Sequence, residues 1–154
     1  MPNNPLDLRF LLGPEELDAL RRGYLPDAMK GATRTRVGAM YPPGAPWVDA
    51  LVDALYGPQP VSPKDRERCL IVLLATRGEP FTLGVHVYWG LMEGLAPEEV
   101  GHALLLAGAY HGVPAYATGL LAVQKTCAAL KAAIAEQQTD SARILGRLVQ
   151  VFGV

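Results

Sequence analysis

One apolar stripe near the end of this chain constrains its fold more than any other feature. Tyr116, Leu120, Val123, Cys127, Leu130 and Ile134 recur at spacings of 4, 3, 4, 3 and 4, which is the signature of a single buried helix face. The pattern predicts a helix of about 23 residues, roughly 35 Å long. Its packing partners must also be helices, because no segment alternates polar and apolar residues long enough to argue for a strand. The expected fold class is all-α.

Punctuation divides the rest. Gly13-Pro14-Glu15-Glu16 opens a first helix with proline at its first position and acids in its first turn, and the pattern is read to about Lys30. Residues 31–46 carry no periodicity and contain Pro42-Pro43-Gly44, which reads as a loop. Trp47 to Tyr56 is a short amphipathic helix with Trp47, Leu51, Ala54 and Leu55 as its apolar side, stopped by Gly57-Pro58. Ser62-Pro63-Lys64-Asp65 is a strong start, with the serine placed to accept from the third helical amide. The helix it opens changes from a wet first turn to CLIVLLA, expected to be buried on all sides. A fourth helix covers about 80–93, and a fifth begins at Ala96-Pro97-Glu98-Glu99 and ends near Gly112-Val113-Pro114. The apolar stripe is the sixth, and a seventh from Ser141 carries Leu145, Leu148, Val149 and Phe152 on one face. The reading is one domain of 154 residues and about seven helices.

Composition excludes several functions. With 14 basic against 15 acidic residues the net charge is −1, which lacks the electrostatic footprint of a nucleic-acid binder and gives no polybasic membrane patch. The longest apolar run, Cys69 to Ala75, is far below the ~20 residues of a membrane span. The opening MPNNPLDLRFLLGPEEL has no basic segment followed by an apolar one, so it does not look like a secretory signal. Cys69 and Cys127 form no CxxC and no disulfide framework. A cytoplasmic protein without nucleic-acid or membrane partners is expected.

The chemistry must come from few residues. No phosphate-cradling glycine loop is present, and His86, His102 and His111 stand 16 and 9 residues apart, too far for a two-histidine metal motif on one helix. His102 lies in a first turn, facing solvent. What remains is ionisable residues that interrupt apolar helices. Glu67, flanked by Arg66 and Arg68, lies at the start of the third helix, and His86 lies in the fourth among Leu83, Val85, Val87, Tyr88 and Trp89. A carboxylate beside a histidine is a familiar acid–base pair, since the anion fixes which imidazole nitrogen faces away from it. Two antiparallel helices joined by the short Arg77–Pro80 turn bring the pair together only in one register. A core histidine and a solvated acid stay open as the alternative.

The stretch from Pro63 to about Ala117 resembles the carboxymuconolactone decarboxylase and alkylhydroperoxidase D-like family. The matching elements, in order, are PKDRERCLIVLLA, LGVH, GLAPEEV and AYHGVPAY. The resemblance implies an all-α bundle, assembly as a trimer or hexamer, and a small-molecule pocket without metal or organic cofactor. The peroxidase branch carries Glu-x11-Cys-x2-Cys-x3-His, and Glu67 and His86 stand at its outer positions. The two thiol positions fall on Glu79 and Thr82, which argues against disulfide cycling. The decarboxylase branch also lacks the cysteines, and its polar residue four before the histidine is Thr82 here. By this resemblance Glu67 and His86 are the catalytic candidates. Arg66, Arg68, Thr82, Tyr110 and His111 are candidate substrate-binding residues, the arginines for a substrate anion and Tyr110 as a donor into the pocket. The expected activity is acid–base chemistry, as decarboxylation, isomerisation or lactone chemistry, on a small unsaturated or cyclic carboxylic acid. A non-catalytic binding protein on the same fold is the alternative, and a residual redox role for Cys69 is the third.

Overall fold

A computed structural model describes residues 8–40, 45–58 and 60–154. Among these residues the chain is helical without a strand. The elements are α1 (Pro14–Arg21), α2 (Pro26–Met40), α3 (Ala45–Tyr56), α4 (Pro63–Arg77), α5 (Pro80–Met92), α6 (Pro97–His111), α7 (Val113–Ala135) and α8 (Ser141–Phe152). No helix among the described residues is long and apolar enough to cross a membrane.

The core is built from α4, α5, α6 and α7, each packed on its neighbours in the bundle. The predicted seam is present. In α7, Val123, Cys127 and Leu130 are buried, and Tyr116, Leu120 and Ile134 pack against the same core. α8 lies against α5 and α7, with Ile144 and Leu148 inward, and α1 covers another edge of the same pair. The serine cap of α4 forms as expected, with Ser62 Oγ accepting from the Asp65 amide at 3.1 Å.

Four readings are corrected. The first predicted helix is two helices, because Pro26 lacks an amide donor and disfavours helical backbone in the residue before it. α1 stops at Arg21, and Pro26 starts α2 at its N-terminal position. Residues 31–40 are therefore helix and not loop. Their glycines and threonines are weak helix formers, but the Thr33 and Thr35 hydroxyls donate to the carbonyls of Met29 and Gly31 at 3.1 and 3.0 Å and so satisfy themselves within the helix. Pro42, Pro43 and Gly44 lie outside the described residues, as do residues 1–7 of the opening segment. The described residues thus hold eight helices.

The other two corrections concern faces. In α3 the buried row is Val48, Val52 and the half-buried Tyr56, while Trp47 is 68% exposed. Tyr56 stacks on Trp89 at 4.7 Å, and that stack fixes the rotation of α3 with its valines inward. α4 is buried on one face only, with Ile71, Leu74 and Ala75 inward and Leu73 and Cys69 outward. Its first turns hold a fully buried Glu67 where a wet acid was expected.

Candidate functional site

The site begins with the register of α4 and α5. Glu67 lies ten residues before the end of α4, and Gly90 lies ten residues after the start of α5. A Cβ on Gly90 would come within 3.2 Å of the Glu67 Cβ, so the absent side chain admits Glu67 to the face of α5. His86 is one turn away on that face. The Glu67 carboxylate closes the remaining gap, and His86 Nδ1–H donates to Glu67 Oε2 at 2.7 Å. The residues that sequence left dependent on register do meet.

Arg66 completes the arrangement. Its Nε donates to Glu67 Oε1 at 3.0 Å, so each carboxylate oxygen has a charged or polar donor. The Arg66 guanidinium lies 4.5 Å from the Tyr56 ring centre, a favourable cation–aromatic contact. Trp89 is parallel to the His86 ring, with centres 5.7 Å apart. Burial and the negative charge of Glu67 push the Tyr56 phenol up to about 12, with a Thr33 hydrogen bond and Arg66 opposing them. Tyr56 therefore stays a neutral packing partner at physiological pH.

A cavity of about 590 Å³ opens on the other side of His86, a volume within the usual range for small-molecule sites. Phe81, Thr82, Val85 and His86 line it from α5, with Glu79 at the helix start. Met29, Thr33, Arg36 and Ala39 line it from α2, and Leu145 and Val149 from α8. The walls are mainly apolar. With Nδ1 engaged by Glu67, Nε2 is the His86 nitrogen left for the cavity. Glu79 and Thr82, at the two thiol positions of the peroxidase pattern, both face this space.

The structure sorts the predicted site residues. Glu67, His86 and Thr82 belong to the site, with Glu67 buried behind His86. Arg66 does not line the cavity, and it touches Glu67 where a substrate anion was expected. Arg68 points elsewhere, bonded to Asp65 at 2.9 Å and to Glu99. Tyr110 is 89% exposed at the end of α6. His111 is exposed beside it, and neither lines the cavity. The final turn of α6 carries both away from α5.

Sequence reasoning missed α2 and the end of α8 as cavity walls. Met29, Thr33 and Arg36 follow a helical spacing that could have been read once Pro26 was taken as a helix start. Among the described residues no three His, Cys, Asp or Glu side chains converge as a metal site would require.

A family model described as the carboxymuconolactone decarboxylase family matches residues 42–125. The match takes in Glu67 and His86 and excludes α2 and α8. No curated protein and no solved structure matches the chain.

Proposed function

The chain belongs to the carboxymuconolactone decarboxylase family, and from that membership we propose that it is an enzyme performing acid–base chemistry on a small unsaturated or cyclic carboxylic acid. His86 is the group that moves the proton, and Glu67 positions it. The carrying observation is the 2.7 Å contact from His86 Nδ1 to a fully buried carboxylate, beside an apolar cavity.

The contact selects one tautomer. A neutral His86 that donates from Nδ1 presents the Nε2 lone pair, which can take a proton from carbon. The imidazolium that forms is stabilised by Glu67, itself paired with Arg66. Returning the proton to a different carbon completes an isomerisation. Decarboxylation enters the same cycle from the imidazolium. The carbon–carbon bond to the carboxylate breaks, its electron pair passes to a conjugated carbonyl as an enolate, and Nε2–H protonates the carbon. Neutral His86 then regains its proton from water. Apolar walls suit both routes, because they leave the charged intermediate facing fixed groups instead of mobile solvent.

The test is deuterium uptake and CO2 release in D2O across a panel of cyclic and unsaturated carboxylic acids and their lactones. The wild-type protein should turn over at least one class, and His86→Gln should remove that activity by about 10²–10⁴-fold with unfolding unchanged. If His86→Gln turns over as fast as wild type, the acid–base assignment fails, and a binding protein on this fold becomes the better account.

A further inference from the structure

The cavity holds a cation that neither the family match nor the site above uses. We propose that Arg36, on α2, binds the carboxylate of the substrate and so selects anionic ligands with an apolar body. The proposal deepens the acid–base reading of His86 and rests on it for the chemistry, though not for the binding.

Four observations carry it. Arg36 lines the cavity together with His86. Its guanidinium sits 4.7 Å from the Phe81 ring centre. Contact through the aromatic face uses none of the N–H donors, so the planar fork stays open for a bidentate acceptor. Among the described residues no carboxylate pairs with Arg36. Arg34, on the same helix, contrasts with it, since Asp49 and Asp53 of α3 both hold that residue. The other ionisable side chain on the wall besides His86 is Glu79, which Arg77 engages at 2.9 Å. Arg36 is therefore the one arginine or lysine among the described lining residues.

The geometry also restricts the ligand. Phe81, under Arg36, and His86 both line the cavity from α5. An anion held by Arg36 therefore leaves the apolar body of the ligand to the mainly apolar cavity that His86 also lines. The carboxylate that Arg36 holds is an anchor that stays on the ligand, so in the decarboxylation route a second carboxylate is the one lost. Arg66 and Arg68, the arginines that sequence offered for this role, are engaged elsewhere.

Titration calorimetry with cyclohex-1-ene-1-carboxylate, against its neutral carboxamide, tests the assignment. The wild-type protein should prefer the carboxylate by about 10- to 100-fold, the range of a charge-assisted hydrogen bond. Arg36→Gln should bind the two probes alike, and Arg36→Lys should keep part of the preference. His86→Gln should keep the full preference, so loss of the acid–base reading and loss of this one give different results. An Arg36→Gln protein that still favours the carboxylate, or a wild-type protein with no preference, overturns the proposal.

Discussion

Glu67 Oε2 and His86 Nδ1 lie 2.7 Å apart, although 19 residues separate them and the helices that carry them run in opposite directions. The contact fixes the imidazole tautomer from behind, on the side turned away from the cavity. Glu67→Gln offers an amide that can accept from Arg66 or from His86 but not hold both as an anion does. Turnover is expected to fall by about 10²-fold or more with little change in KM. ¹⁵N NMR of His86 should show an Nδ1-protonated ring in the wild-type protein and a mixed tautomer in the variant. An unchanged spectrum would separate a packing role from a positioning one.

Arg66 should matter to stability more than to binding. Its partner Glu67 is fully buried, and removal of one member of such a pair leaves an uncompensated charge. Arg66→Met is expected to lose about 3–5 kcal/mol, read from urea unfolding. The double change Arg66→Met with Glu67→Leu should recover much of that loss and remain inactive.

The two thiols should differ sharply. Burial pushes the Cys127 thiol up to about 12, whereas Cys69 is exposed. A thiol reagent at about pH 8 should label one cysteine per folded chain and the second only after denaturation. Cys69→Ser should leave turnover at the wild-type level, which removes the redox alternative.

Glu79 and Thr82 mark where thiols would face the cavity. The pair Glu79→Cys and Thr82→Cys stands at the start of α5, three residues apart, in the spacing that favours a reactive dithiol. The variant should form an intramolecular disulfide under mild oxidation, seen as a loss of two free thiols without dimer on a non-reducing gel.

Glu99 gives the chain a dependence on acid. Lys64 at 2.8 Å, the Ala96 amide and Arg68 hold its carboxyl at about 2, below the ordinary 4.5. A carboxyl lowered on folding stabilises the native state fully above about 4.5, and that contribution disappears as pH falls toward 2. Glu99→Gln should therefore unfold more easily than wild type at neutral pH, and the two stability curves should converge between those limits.

Much of this fold was legible because the strongest signals were local. The α7 stripe, the serine cap of α4 and the proline starts of α5 and α6 are each written in a few adjacent residues. The site was legible in part, since Glu67 and His86 stand out as ionisable groups in apolar helices. Their meeting was not, because it depends on Gly90, whose missing side chain has no meaning until α4 is laid across it. α3 misled for a related reason. Trp47, Leu51 and Leu55 outweigh Val48 and Val52 in apolar size, but the stack of Tyr56 on Trp89 decides which side turns inward. Arg36 was invisible while residues 31–46 were read as a loop, and Arg66 and Arg68 drew the anion-binding role because they sit beside Glu67 in sequence.

Trp89 lies face to face with the His86 ring at 5.7 Å, and the chain has one other indole, the exposed Trp47. A Trp47→Phe protein would emit from Trp89 alone. The ring stack that packs the centre of this molecule thus gives it a built-in optical probe, one native fluorophore whose emission reports whatever moves or covers the His86 ring.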